Sequence, residues 1–114
     1  MTIEEITAGA QLDALIASEE RGVVIDFWGT WCQPCRALRP HLEKLADQHD
    51  ANWKVVAVHV EASEDLIDRF GVQATPTIVY LQGGIEVHRS AGAITPSGVA
   101  ADLAEHGQDT GYTV

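Results

Sequence analysis

Apolar and polar residues fall into blocks along this chain, and the blocks switch between two periods. Ile3 to Ile6 reads as a short first strand. Thr7 is placed to cap a helix, and Leu12, Leu15 and Ile16 form a helical stripe as far as Ser18. Glu19 to Gly22 is a turn. Val23 to Trp28 is almost continuously apolar and β-branched, the pattern of a strand buried on both faces. Gly29 and Thr30 break it. Beyond them a helical run extends to about Asp50, with Leu38, Leu42, Leu45 and Ala46 on one face. Pro40 inside that run removes a backbone hydrogen bond and predicts a kink. Trp53 to Val60 is a second buried strand, joined to the first by a right-handed crossover. Ser63, followed by Glu64 and Asp65, caps a short helix whose apolar side is Leu66, Ile67 and Phe70 and which Gly71 ends. Thr77 to Leu81 is a strand, Gln82-Gly83-Gly84 a hairpin turn, and Ile85 to Ser90 the returning antiparallel strand. Thr95-Pro96 opens the last helix, which carries Val99, Ala100 and Leu103. The order β-α-β-α-β-α-β-β-α predicts an α/β fold, a mixed central sheet with helices on both faces. Residues 1–106 are expected to form one domain. The polar, glycine-bearing segment 107–114 is expected to be a frayed tail.

Between the first buried strand and the long helix lies Trp31-Cys32-Gln33-Pro34-Cys35. These are the only two cysteines in the chain. Their spacing lets both sulfurs close a disulfide around one turn, or lets one attack while the other resolves. Pro34 has a helical φ and no N–H, so it suits the first helical position. Gln33, preceding a proline, is then the expected N-cap. Cys32 lies just ahead of the helix, where the dipole and the free N–H groups stabilise a thiolate. Cys35, inside the helix, is the more buried sulfur. A zinc site would need a second pair of ligands. His41, His49, His59, His88 and His106 are scattered singly, so no metal is expected. Cys-x-x-Cys beside a βαβ unit reads as a redox motif.

Other residues near the motif carry candidate roles. Asp26 sits inside an apolar strand, where an ionised carboxylate is costly and needs a reason. Trp28 and Trp31 flank the cysteines and could form an apolar wall that shields the sulfurs and shapes a substrate groove. Arg36 reads as a solvated helix residue and His59 as a partly exposed strand-end residue. Pro76 stands at the start of a strand.

Taken together, these stretches closely resemble the thioredoxin family over about Ile3 to His106. Asp26-Phe27-Trp28, Trp31-Cys32, Pro34-Cys35, Pro40, Thr75-Pro76-Thr77, Gly84 and Gly92 match its motifs. Three positions depart from the pattern. Gln33 stands where members usually carry glycine, and Thr75 replaces the usual aliphatic residue. Ala57 replaces a lysine that many members place beside the buried Asp. The resemblance implies a five-stranded sheet flanked by four helices, with Val23–Trp28 and Trp53–Val60 in its middle. It implies that Asp26 accepts the Cys35 proton and that a cis bond at Pro76 faces the cysteines. The backbone of Thr75 would then pair with an extended substrate segment, with Gly92 leaving it room. Gln33 and Pro34 belong to the same surface, and Gly71, Ala74, Ala93 and Ile94 are candidates for its apolar rim. The implied activity is reduction of protein disulfides, without a bound cofactor. Cys32 attacks, Cys35 resolves, and a thioredoxin reductase recharges the pair. An oxidant or isomerase, or a redox-indifferent binding module, would use the same fold. Because Ala57 brings no cation to Asp26, its pKa is expected to lie above the ordinary carboxylate value by at least as much as in those members.

Composition narrows the setting. Seventeen acidic residues against seven basic ones give a net charge of −10. That excludes nucleic acid and anionic membrane surfaces as expected partners. Met1 to Ala10 shows no basic start followed by an apolar run, so no secretory signal is expected. No apolar run reaches the length of a membrane span. A single cysteine pair in a chain expected to be cytoplasmic favours a catalytic role over a structural staple, and the protein is expected to be a monomer.

Overall fold

A computed structural model describes residues 3–107. The elements are β1 (Glu4–Ile6), α1 (Gly9–Ser18), β2 (Gly22–Trp28), α2 (Gln33–Gln48), β3 (Trp53–His59), α3 (Glu64–Phe70), β4 (Thr77–Gln82), β5 (Ile85–Ala91) and α4 (Pro96–His106). A single 3-10 turn, Val60–Ala62, links β3 to α3. The sheet order is β1-β3-β2-β4-β5. β1 and β2 run parallel to β3, and β4 runs antiparallel to both β2 and β5. The expected mixed sheet with four helices is therefore the observed one.

The near-continuous apolar run of β2 has a direct cause. Its residues alternate between two cores. Val24 packs with Leu38, Leu42, Trp53, Tyr80, Val99 and Leu103 beneath α2 and α4. Ile25 and Phe27 pack with Leu12, Val56, Val58, Leu66 and Val79 beneath α1 and α3. Each such side chain, fully withdrawn from water, contributes about 1.5–3 kcal/mol. The predicted stripe Leu38, Leu42, Leu45 and Ala46 is buried in full. Gly83 and Gly84 take φ of 61° and 80°, which explains two glycines in the hairpin turn. Thr95 caps α4 as expected, its Oγ1 accepting from the Gly98 N–H at 3.0 Å.

Three expected caps are corrected. Thr7 does not cap α1; Ala8 holds that position and offers no side-chain acceptor. The Gly9 N–H instead donates to Asp65 Oδ2 at 3.0 Å, from the first turn of α3. Ser63 stands at the N-cap of α3, but its hydroxyl makes no capping bond. Its carbonyl accepts from Leu66 and Ile67 instead. Cys32, not Gln33, caps α2. The sulfur takes the Cys35 N–H, so the helix begins one residue earlier and Pro34 falls at its second position. The tail expected from Gly107 lies outside the described residues except for Gly107 itself, which ends α4.

Candidate active site

The central strand β2 ends at Trp28 and α2 begins at Gln33, and at this junction Cys32 and Cys35 form a disulfide. Their Cα atoms are 5.2 Å apart, an ordinary separation for a bridged pair. The environments of the two sulfurs differ. Cys32 is half-buried at the N-cap of α2, and its Sγ accepts from the Cys35 N–H at 3.1 Å. That bond and the positive end of the helix favour a thiolate at Cys32 once the pair is reduced. Cys35 is 4% exposed.

Cys32 opens onto a groove of about 280 Å³ shared with Gly29, Trp31, Val60, Glu61 and Thr75. Val60 and Thr75 also line a second depression of about 380 Å³, which continues past Ile67, Val72 and Ala74. Trp31 projects fully into solvent, 86% exposed. Gln33 and Pro34 are exposed beside it. The Thr75–Pro76 bond is cis, and Pro76 is buried. The Gly92 N–H donates to the Pro76 carbonyl at 3.1 Å. Gly92 has φ of 82°, and the space a Cβ would occupy there is open. Ala93 and Ile94 line a separate depression with Ser90 and Asp102.

The turn before Cys32 is held by Glu61, which the sequence did not single out, together with His59 and Arg36. Glu61 Oε1 accepts from the Thr30 N–H at 2.8 Å and lies 2.9 Å from His59 Nε2. These bonds, with that from Thr30 first, hold the Glu61 carboxyl below its ordinary pKa. His59 also meets Thr30 Oγ1 at 2.9 Å and stacks on Trp28 with ring centroids 4.3 Å apart. It ends β3 partly exposed, as read from the sequence, but it also props Trp28. Arg36, exposed as expected, donates to the Thr30 carbonyl at 2.6 Å.

On the other side, Asp26 is 1% exposed, and neither of its carboxylate oxygens accepts a hydrogen bond from the described residues. The Arg39 Nη2 lies 3.6 Å from Asp26 Oδ2, near enough for charge attraction but too long for a hydrogen bond. Burial pushes the Asp26 carboxyl up to about 6, Arg39 pulls it down and Glu5 pushes it up. The upward direction was expected. Ala57 is its neighbour across β3 and brings no charge, as expected, but Arg39, which the sequence reading did not consider, supplies one from α2. The signal was present in the spacing, since Cys35 and Arg39 are four apart and share a helix face. Trp28, Cys35, Arg36, Arg39 and Glu5 line a cavity of about 200 Å³ on this side.

A redox-active cysteine pair at a helix N-terminus, on a mixed five-stranded sheet with four helices, defines a thiol–disulfide oxidoreductase. The family model described as Thioredoxin matches residues 4–105. Thioredoxin 1 of Chlorobaculum tepidum is 41% identical over 83 residues, covering 73% of this chain and 82% of that protein. The bifunctional thioredoxin reductase/thioredoxin of Mycobacterium leprae is 33% identical over 105 residues, covering 92% of this chain and 22% of that longer protein. The structure of Fasciola hepatica thioredoxin superposes with a TM-score of 0.85 at 30% identity, covering 91% of this chain and 99% of that one. The chain belongs to the thioredoxin family and reduces protein disulfides by dithiol–disulfide exchange. Among the described residues no helix is long and apolar enough to cross a membrane.

Proposed function

We propose that Cys32 is the attacking sulfur, Cys35 the resolving sulfur and Asp26 the proton acceptor of this exchange. The Cys32 thiolate attacks one sulfur of a substrate disulfide. The other substrate sulfur leaves as a thiolate and takes a proton. Asp26 then takes the Cys35 proton, and the Cys35 thiolate attacks Cys32 Sγ. The mixed disulfide breaks, the second substrate thiolate departs, and the Cys32–Cys35 disulfide remains. Two electrons have passed from the protein to the substrate. The substrate segment lies in the groove beside Trp31, Thr75, Pro76 and Gly92, with Trp28, Gln33 and Pro34 completing its surroundings. A thioredoxin reductase returns the pair to the dithiol. The Mycobacterium leprae relative, whose name joins both activities in one chain, supports that partner. A cytoplasmic setting fits, because thiols are kept reduced there.

The observation that carries this assignment is the asymmetry of the pair: Cys32 lines the groove at the helix N-cap, and Cys35 is buried beneath it. Trapping tests it. Cys35→Ser accumulates a mixed disulfide with protein substrates, and Cys32→Ser accumulates none. Equal trapping by both variants contradicts the assignment.

A further inference from the structure

Arg39 occupies an unusual position. Its guanidinium reaches Asp26 Oδ2 at 3.6 Å with one nitrogen and Glu5 Oε2 at 3.3 Å with another. It also lies over the Trp28 ring, 5.4 Å from the centroid. Glu5 is fixed in turn, since its Oε1 accepts from Trp28 Nε1 at 3.2 Å. The sheet register explains how these groups meet. Glu5 pairs with Ala57 and Ala57 pairs with Asp26, so the three form one row across β1, β3 and β2. Alanine in the middle of the row leaves the space that Arg39 spans. Glu5, Trp28 and Arg39 also line the cavity that reaches Cys35.

We propose that Arg39 and Glu5 act as an opposed pair that sets the proton affinity of Asp26, and thereby the pH range in which Cys35 can resolve a mixed disulfide. The proposal rests on Asp26 being the proton acceptor. Arg39 is a positioning residue here: it touches neither sulfur substrate nor leaving group, and it works through Asp26. A cation at this distance favours the carboxylate, and Glu5 opposes it, both by repelling Asp26 and by drawing on the same guanidinium. The remaining neighbours leave this balance to the pair. From α2, Arg36 is turned to the Thr30 carbonyl, and Cys35 is the proton donor itself. β3 presents Ala57 and β4 presents Ile78 beside Asp26. Lys54 of β3 is engaged by Glu4 at 3.4 Å. α4 covers this side of the sheet with Val99 and Leu103.

The test compares Arg39→Met, Arg39→Lys and Glu5→Gln in the full chain. Two readouts are taken from pH 4 to 9: the titration of the Asp26 carboxyl by carbon NMR in the oxidised protein, and the rate of insulin disulfide reduction. Arg39→Met moves the Asp26 midpoint and the rate profile up together, by roughly one pH unit, the low end for an opposite charge at this range. Glu5→Gln moves both down, and Arg39→Lys restores most of the normal profile. In an Asp26→Asn background, Arg39→Met leaves the rate profile where Asp26→Asn put it. An Asp26 midpoint unmoved by Arg39→Met, or moved in the same direction by Glu5→Gln, overturns the role of the pair while leaving Asp26 as acceptor. A midpoint that moves without the rate profile overturns the acceptor role, and the proposal with it.

Discussion

Cys32 and Cys35 are the same residue three positions apart, yet their surroundings differ in almost every respect. Cys32 caps a helix, borders an open groove and receives an N–H bond on its sulfur. Cys35 is buried on the side of the cavity where Arg39 attends the nearly inaccessible Asp26. In the proposed exchange, dipoles and reach make the first sulfur the nucleophile. The other must lose its proton where water is scarce, which calls for a base matched to neutral pH. A carboxyl pushed up to about 6 meets that requirement better than an ordinary one. The proposed assignment thus puts nucleophilicity and proton transfer on opposite sides of one disulfide.

The largest expected effect comes from erasing one side. Cys32→Ser abolishes disulfide reduction in a turnover assay with insulin, while Cys35→Ser retains the first attack as a trapped adduct. Residual turnover by Cys32→Ser would mean that the two sides are interchangeable.

Removing the base sharpens the contrast without touching either sulfur. The Asp26 carboxyl binds its proton more tightly folded, at about 6, than at its ordinary value of 3.8. Over that window the native state holds more protons than the unfolded state, so stability falls as pH rises from about 4 to about 6 and is then constant. The loss amounts to roughly 3 kcal/mol at about 1.4 kcal/mol per unit. Asp26→Asn should therefore be more stable than the parent at pH 7, by about 1–3 kcal/mol, and should lose this pH dependence in urea melts. Its insulin reduction should slow at the same time. A variant less stable at pH 7 and fully active would make Asp26 a structural residue.

A smaller effect isolates the groove. Gly92→Ala places a Cβ on a residue with φ of 82°, which costs about 1 kcal/mol in thermal or urea melts. The methyl also enters the space proposed for a substrate segment. KM for a protein disulfide should rise, while the rate with a small disulfide such as oxidised glutathione stays near the parent value. Equal losses on both substrates would remove Gly92 from the groove.

Much of this arrangement was legible from local pattern. The motif, the uninterrupted apolar run of β2, the α2 stripe from Leu38 to Ala46 and the paired glycines of the hairpin each state their structure within a few residues. What escaped depends on residues far apart in sequence. The cap of α1 comes from Asp65, 56 positions beyond Gly9. Glu5 and Asp26 become neighbours only through the register of three strands, with Ala57 between them. Reading Ala57 as the loss of a cation was correct for that position. It overlooked Arg39, because a charge can reach the same carboxylate from the helix above the sheet. Cys32 was misjudged as lying before the cap because proline was read as fixing the preceding residue, whereas the sulfur itself supplies the acceptor.

The division between the two sulfurs is tested most directly by alkylating the reduced protein. Iodoacetamide at pH 7, followed by peptide mapping at short times, should modify Cys32 and leave Cys35 unmodified, because the account makes only the more accessible, helix-capping sulfur a reactive thiolate. Modification of Cys35 first, or of both at the same rate, would contradict the account.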